Sequence, residues 1–558
     1  MKKYFIIFSI IIFSPFYLVS QTIFEPITNN RIYEFLDELA NNHIIIINST
    51  VKPFSRNYIY DKLQEAEKNN IQLSERQKDE LQFYLNGFLM ENPSIVNEKY
   101  DIFSKNENLS TSISTLSLIY KDTFLRVSVK PIWGISYFKT ESENIRHTWG
   151  GAEFMGYIGK NWSLYASLRD NNETKVITRS GFLNQNSGAP QKYNSSGGGD
   201  YSEMRGGIIY SWKWGSFGLI KDHFIWGDNY NGSNIFSGRT PSFAHIKLSL
   251  KPAKWFEFNY IHGWLNSEVI DSNRSYNSGS SFRTVFRDKY IAANLFTFTP
   301  FKRLNVSVGN SIVYSDVSIQ AAYLIPVLFY KSVDHTLNST YQYGDAGQNS
   351  QMFMSISSRQ IKNINIFTSL YIDELSLKNM FDNQKHSNFL SFKIGGSVTD
   401  FYFKNITIIA EYTRTNPMAY QHFLPATTFE NNHFSLGHYL KDNAQEVYLS
   451  AIYKPIRGMS LQASWTQAKK GNIYQYGDIG IFGGLPFIKD VIWENNTLAL
   501  KATYELFLNT ILFVEAINSN IKGYAVDGKS EQYYLDLFTP KSFQGNQIIV
   551  NTGLAIGF

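Results

Sequence analysis

Residues 547–558, at the C-terminus, read Gln547-Ile-Ile-Val-Asn-Thr-Gly-Leu-Ala-Ile-Gly-Phe558. In an extended strand, successive side chains point to opposite faces. One face of this stretch would carry Ile548, Val550, Thr552, Leu554, Ile556 and Phe558. The other face would carry Gln547, Asn551, Gly553, Ala555 and Gly557, with Ile549 as the exception. One face suits lipid and the other suits a polar lumen, a pattern typical of a membrane-spanning barrel strand.

The same period of two extends from the C-terminus back to about residue 123. Strand candidates come in pairs joined by tight turns, and long segments rich in Asn, Gly, Ser and Asp separate the pairs. Short turns at one end and long loops at the other favour an all-β transmembrane barrel. The long loops include residues 171–202, 223–242, 316–350 and 415–443. We predict about eighteen antiparallel strands, at residues 123–137, 149–159, 161–170, 203–213, 215–221, 243–251, 255–265, 287–299, 303–315, 349–359, 362–373, 388–399, 402–413, 444–453, 458–467, 492–504, 507–518 and 546–558.

The aromatic content is high for a chain of ordinary hydropathy. Phe 43, Tyr 36 and Trp 10 amount to 16% of 558 residues, whereas the mean hydropathy is −0.24. Aromatic side chains of a barrel collect in girdles at the two membrane interfaces. The absence of Cys excludes a disulfide scaffold and a Cys-ligated zinc or iron–sulfur site. The net charge of +5 gives no indication of a nucleic-acid partner.

The N-terminal region differs from the rest of the chain. Two lysines precede an apolar run, so residues 1–20 are predicted to be a secretory signal peptide. Residues 30–92 show helical spacing, with helix caps predicted at Asn30, Ser55 and Ser74. These elements predict a small helical bundle between the signal peptide and the barrel.

Three segments follow from this division. Residues 1–20 are the signal peptide, residues 21–110 a periplasmic helical bundle and linker, and residues 111–558 an outer-membrane barrel with long extracellular loops. Residues 111–120 are also strand-like. We place this stretch outside the barrel wall, because one additional strand would break the even number that keeps both barrel ends in the periplasm.

Two of the long loops combine aromatic and polar side chains in a way that suits sugars. Sugar rings offer apolar faces that stack on aromatic rings, and hydroxyls that carboxylates and amides bind. The segments are residues 224–232 in one loop, and residues 416–423 followed by 431–438 in the other. The same side chains could instead belong to an aromatic girdle or pack inside the barrel. The glycan-binding candidates are Trp226, Asp228, Tyr230, Tyr420, His422 and His438.

Catalytic and metal-binding patterns find little support. The chain has neither G-x-S-x-G nor H-E-x-x-H. Asp373 and Glu374 are adjacent, so their carboxylates would lie on opposite faces of a strand. His422, His433 and His438 are loosely spaced for a metal site. We therefore expect no catalytic residues, no metal and no cofactor.

Ten short motifs follow one another along the chain: Arg31-Ile-Tyr-Glu-Phe-Leu-Asp-Glu-Leu-Ala40, Val51-Lys-Pro-Phe-Ser-Arg56, Glu75-Arg-Gln-Lys-Asp-Glu-Leu-Gln-Phe-Tyr84, Gly151-Ala-Glu153, Asn161-Trp-Ser-Leu-Tyr165, Arg169-Asp170, Lys221-Asp-His-Phe-Ile-Trp-Gly227, Thr240-Pro-Ser-Phe243, Leu436-Gly-His438 and Lys454-Pro455. In this order they resemble the Wzi-like capsule assembly outer-membrane proteins. The resemblance implies an 18-stranded barrel with a periplasmic helical bundle near its mouth, and a lectin-like role without turnover. It supplies no ligand-contact motif that transfers residue by residue.

Three functions remain open from the sequence. The first is a non-enzymatic, lectin-like barrel that binds capsular or other surface polysaccharide and helps to assemble or retain it. The second is a porin for oligosaccharides or small solutes, since eighteen strands leave room for an aqueous channel. The third is an outer-membrane hydrolase of lipid or glycan. The expected partners are surface polysaccharide, outer-membrane lipid and the barrel assembly machinery, and the expected state is a monomer.

Overall fold

A computed structural model describes residues 21–88, 90–91, 109–112, 114–338, 347–379, 388–476 and 484–557. The predicted signal peptide at residues 1–20 and the terminal Phe558 lie outside the described residues.

The described residues form a closed barrel of eighteen antiparallel wall strands, as the sequence predicts. Each strand pairs with the next, and the last returns to the first through residues 550–556, which pair with residues 133–139. Closure leaves no unpaired sheet edge in the membrane. The strands are β1 (Leu125–Lys139), β2 (Asn144–Ile158), β3 (Trp162–Glu173), β4 (Gly199–Trp212), β5 (Gly215–Asp222), β6 (Phe243–Ala253), β7 (Phe256–Ile270), β8 (Phe286–Phe301), β9 (Leu304–Ser315), β10 (Asn349–Ser358), β11 (Ile364–Ile372), β12 (Leu390–Thr399), β13 (Ile406–Thr415), β14 (Ala444–Tyr453), β15 (Met459–Gly471), β16 (Val491–Phe507), β17 (Thr510–Gly523) and β18 (Gly545–Ile556).

The alternation of β18 is the one that its sequence predicts. Ile548 and Val550 are exposed on the outer face. Ile549 and Asn551 point inward and are buried, and Asn551 contacts Ser136 of β1 and Glu515 of β17. The apolar face of β18 is therefore the one that meets lipid.

Residues 111–120 lie outside the eighteen wall strands, yet they join the same sheet. Two short strands, Leu109–Ser112 and Ser117–Lys121, form a hairpin that pairs with residues 126–129 of β1. Strand β18 pairs with the other half of the same β1 edge. The hairpin thus completes the wall at the short-turn end, where β18 stops.

Three α-helices precede the barrel within the described residues: α1 (Asn30–Asn41), α2 (Arg56–Lys68) and α3 (Glu75–Gly87). Ser55 caps α2, and Ser74 forms a capping box with Gln77 at α3, both as predicted. Asn30 is the first helical residue rather than the cap of α1, and the preceding Asn29 makes no side-chain cap bond. None of the described helices has the length and apolarity that a membrane crossing requires.

The helical bundle lies at the short-turn end of the barrel. Leu508, in the turn between β16 and β17, belongs to the apolar core of the bundle. Arg76 of α3 donates to Asn405 in the turn between β12 and β13, and pairs with Glu38 and Glu80 within the bundle. Lys454, at the end of β14, lies 3.3 Å from Glu38. Buried ion pairs of this kind are costly to break, because each partner would remain charged and unpaired.

The prediction of residues 316–350 as a polar loop at the mouth is wrong for its first part. Residues 316–338 fold back against the outside of the barrel wall, where Tyr323 and Tyr330 are buried on Tyr314 of β9. The physical reason is the composition of this stretch. Residues 317–330 contain no charged side chain, so they can pack against the apolar outer wall instead of remaining in water. We call residues 316–337 the outer flap.

The two faces of β18 give a prediction for stability. Val550→Arg places a charge on the lipid face near the middle of the strand and should destabilise the barrel by about 2–4 kcal/mol. Gln547→Arg places the same charge on the inner face near the long-loop end and should cost much less. Urea unfolding in lipid vesicles measures both variants. Equal destabilisation of the two variants would contradict this assignment of faces.

Candidate functional site

Two chain segments meet inside the lumen and form what we call the plug: residues 48–53, between α1 and α2, and residues 223–242, between β5 and β6. Val51 and Lys52 pair in antiparallel fashion with Trp226 and Ile225. Trp226 is buried, with its ring 5.1 Å from that of Phe236 and 5.9 Å from that of the wall residue Phe353. Apolar contacts therefore fix the centre of the plug to the wall.

Asp228 connects the two halves of the plug. Its carboxylate accepts hydrogen bonds from the hydroxyls of Ser49 and Thr50, the latter at 3.1 Å. Arg359, in the turn between β10 and β11, donates to Ser49 at 3.0 Å and pairs with Asp37 of α1. The same guanidinium donates to Asn41 at 2.9 Å. One arginine thus joins the bundle, the plug and the wall.

Tyr230 extends this network towards β13. Its hydroxyl donates to Asp37 at 2.6 Å, and its backbone N–H donates to Glu411 at 2.5 Å. Glu411 also accepts from the backbone of Asn231 and pairs with Lys393 at 2.9 Å, with both charged groups fully buried. The buried charges of Lys393 and Glu411 thus compensate each other.

The long loop between β13 and β14, residues 416–443, reaches the plug from the other side. The Tyr420 hydroxyl donates to the carbonyl of Asn234 in the plug at 2.7 Å and accepts from the backbone of His438 at 3.2 Å. His438 is buried, with Nε2 3.6 Å from Glu446 of β14. Tyr420 and His438 therefore attach the loop to the plug and the wall.

A cavity of about 310 Å³ lies above this attachment, at the long-loop end, and we call it the mouth pocket. Its volume lies at the lower end of the range of ligand sites. Loop residues supply amide, hydroxyl and carboxylate groups, and aromatic rings complete the lining. The lining includes Tyr420, Gln421, Thr428, Glu430, Ser435, Lys441, Asp442, Asn443, Lys470, Tyr474 and Phe538.

The ionisable groups of the mouth loops are set by burial and by their partners. Burial raises the pKa of Asp442, whose carboxylate accepts the backbone N–H of Tyr420 at 2.7 Å. Burial lowers the pKa of Lys441, which donates to the carbonyl of His433. His433 donates to the Glu430 carboxylate, and this hydrogen bond raises the pKa of His433. The pocket lining carries two acidic side chains, Glu430 and Asp442, and two basic ones, Lys441 and Lys470, so its formal charges balance, which suits a ligand that binds through hydroxyls.

The structure places most of the predicted glycan-binding residues inside the protein. Trp226, Asp228, Tyr420 and His438 are buried and have protein partners, so all four pack inside the protein rather than lie on an exposed loop surface. Tyr420 also lines the mouth pocket, and contact of any of the four with a glycan stays a prediction. Tyr230 is half-buried in the same network. These five come together around the plug, because their loops fold inward.

Among the predicted glycan-binding residues, His422 lies at the mouth of the barrel. It is half-buried, its Nδ1 lies 2.7 Å from the hydroxyl of Thr427, and its ring lies 4.4 Å from that of Phe423. Burial lowers the pKa of His422 to about 4, so the imidazole is neutral at physiological pH. Its contact with a glycan stays a prediction.

Sequence reasoning missed Gln421 and Tyr474, which line the mouth pocket. Gln421 lies directly between two predicted residues, and Tyr474 lies in the long loop that follows β15. The position of Gln421 between two predicted residues, and the aromatic and amide content of the loop that holds Tyr474, are the signals that could have identified them.

The histidines of the suspected metal cluster have separate partners. His422 contacts Thr427, His433 contacts Glu430, and His438 faces Glu446. Within the described part of the chain, no group of three or more acidic or histidine side chains is arranged to hold a metal ion.

Arg359 gives a prediction for the plug. Arg359→Met leaves the Asp37 carboxylate without its cation, and breaking a buried pair costs about 3–5 kcal/mol. We expect faster hydrogen exchange in residues 48–53 and 223–236, with unchanged exchange in β18. The matched control is Arg283→Met, which removes an exposed arginine from a loop. Unchanged exchange in both plug segments would contradict the role given to Arg359.

Comparison with known proteins supports the fold. No family model and no curated protein matches the chain. Among solved structures, the chain is similar to Wzi of Escherichia coli, with a TM-score of 0.56, 10% identity, and coverage of 97% of this chain and 100% of Wzi. Wzi is described as an outer-membrane protein involved in group 1 capsule assembly and as a carbohydrate-binding β-barrel.

Weaker similarities are to two further outer-membrane barrels. Acinetobacter baumannii OccAB2 has a TM-score of 0.41 and 9% identity, with coverage of 78% of this chain and 99% of OccAB2. Pseudomonas aeruginosa OprD has a TM-score of 0.39 and 9% identity, with coverage of 77% and 94%. At such identities the likeness to Wzi shows the fold alone, which is that of an outer-membrane barrel.

Proposed function

We propose that this chain is a plugged outer-membrane barrel that binds capsular or other surface polysaccharide at its long-loop end and helps to assemble or retain it there. The observation that carries the proposal is the mouth pocket, which is polar and aromatic and lies above a lumen that the plug partly occupies. In this arrangement the long loops are extracellular and the helical bundle is periplasmic.

The lining of the mouth pocket suits the chemistry of sugars. Gln421 and Glu430 provide an amide and a carboxylate of the kind that bind hydroxyls. Tyr474 provides a ring against which the apolar face of a sugar can stack. A pocket of about 310 Å³ suits a short portion of a polymer, with the rest of the chain lying across the loops.

The plug inside the lumen supports binding of the polysaccharide at the mouth over its passage through the barrel. A polymer that reached the barrel interior would have to displace the Val51–Trp226 ladder and the Arg359–Asp37 pair. We propose that the polymer stays outside and is recovered unchanged in length, so that the protein acts by binding and not by hydrolysis. The description of Wzi as a carbohydrate-binding barrel supports the same reading.

Removing two polar and aromatic contacts should weaken polysaccharide binding. The double variant Gln421→Ala/Tyr474→Ala is expected to lower the affinity at least tenfold, or about 1.4 kcal/mol. The measurement is binding of size-fractionated surface polysaccharide to the purified full-length protein. The control is Tyr276→Ala, which removes an exposed tyrosine from the loop between β7 and β8. Equal binding by the double variant and the native protein would overturn the mouth pocket as the site.

A cell-based experiment tests the biological half of the proposal. Deleting the gene should lower the ratio of cell-bound to released polysaccharide, and the double variant should fail to restore that ratio. Unchanged retention in the deletion strain would contradict the proposal. Shortened polysaccharide chains in the presence of the protein would favour the hydrolase.

The porin is the second candidate, because a wall of eighteen strands is wide enough for an aqueous channel. We expect the full-length protein to remain closed in planar bilayers, since the plug and the bundle occupy the lumen and its short-turn end. Arg359→Met should produce brief openings. Stable, open conductance of the native protein would favour the porin.

A further inference from the structure

The outer flap covers the lipid side of β7, β8 and β9. On these strands, Ile261, Ile291 and Val313 belong to the core inside the lumen. Their neighbours along each strand, such as Ala292 and Ile312, therefore point outward, yet they are fully buried. Tyr323 and Tyr330 of the flap pack against them.

Polar groups on the outer wall are paired with the flap. Asn294 of β8 faces outward and donates to the carbonyls of Pro326 and Leu328 at 2.9 and 3.0 Å. Its register partner Asn310 of β9 accepts the backbone N–H of Tyr330 at 2.9 Å. Two amides on the lipid side of a barrel would be costly without partners. The flap supplies those partners and keeps the amides away from lipid.

The same hydrogen bonds also satisfy backbone carbonyl groups of the flap. A non-helical backbone is tolerated at membrane depth only where its polar groups are satisfied by protein. The carbonyls of Pro326 and Leu328 are satisfied by Asn294, and that of Tyr323 accepts from the hydroxyl of Tyr260 at 2.9 Å. The wall and the flap thus have complementary polar groups.

The outer side of the flap is apolar. Val327 is 61% exposed, and Leu324, Ile325 and Phe329 are exposed beside it. The nearby wall shows the same character, with Val308 of β9 exposed on the lipid face. The first charge before this stretch, Asp316, pairs with Arg287 at 2.6 Å on the exposed surface. The next charge along the chain is Lys331, and Asp334 beyond it is buried. Between Asp316 and Lys331, the apolar surface continues the lipid-facing wall and is matched by hydrocarbon.

We propose that the outer flap is inserted in the membrane, with Leu324, Ile325, Val327 and Phe329 against lipid acyl chains in the leaflet on the long-loop side. Its occupant is membrane lipid, rather than a second copy of the chain or another protein. The flap widens the lipid contact of β7–β9 and shields the Asn294–Asn310 pair. This proposal depends on the barrel fold alone and is independent of polysaccharide binding.

The absence of native cysteine allows a clean spin-label test. Val327→Cys carries the label on the flap, Val550→Cys on the lipid-facing wall, and Ser280→Cys on an exposed loop. Each full-length variant is placed in phospholipid vesicles, and collision with oxygen and with a water-soluble nickel chelate is measured by electron paramagnetic resonance. We expect the V327C label to match V550C, with high oxygen and low nickel accessibility.

Two outcomes would overturn the proposal. Nickel accessibility at V327C as high as at S280C would place the flap in water. Low accessibility to both reagents, with an immobilised label, would place protein over the flap. If the V327C variant folds poorly, Ile325→Cys provides the same measurement on an adjacent exposed residue, with the same expected and contrary results.

Discussion

The ion pair between Arg359 and Asp37 is the interaction on which the arrangement of bundle, plug and wall depends. It joins a turn of the wall to helix α1, and through Ser49 it reaches the plug. Eighteen strands alone would enclose space for water. Because the charges inside are buried, each needs a partner, and the available partners come from separate parts of the chain. The network therefore selects one arrangement of bundle, plug and wall.

In this arrangement the loop between β13 and β14 has two sides with different contacts. Its inward side chains, Tyr420 and His438, hold the loop to the plug and to β14. Its outward side chains, including Gln421 and Glu430, line the mouth pocket. A pocket built on a fixed plug is preorganised, which lowers the cost of ordering side chains when a ligand binds. The rigidity that closes the lumen is thus also what supports the proposed binding surface.

The parts of the fold that depend on local pattern are predictable from sequence. The alternation of Ile548 to Ile556 identifies the lipid face, and the Ser74–Gln77 spacing identifies the start of α3. The direction in which a loop folds is not local. Trp226 enters the lumen because Val51, far away in sequence, pairs with it, and an aromatic loop residue alone does not reveal this. Two weaker features of the sequence indicate the flap. One is the charge-free stretch after β9, and the other is the pair of asparagines at outward positions of β8 and β9.

The central claim, that polysaccharide binds at the mouth of a barrel whose lumen the plug continues to occupy, is tested most directly by hydroxyl-radical footprinting with and without the polymer. The account predicts protection of Tyr474 and Phe423 at the mouth, with unchanged labelling of the half-buried Tyr230 in the plug and of Tyr276 on a separate loop. Protection of Tyr230, or no protection at the mouth under saturating polysaccharide, would contradict it.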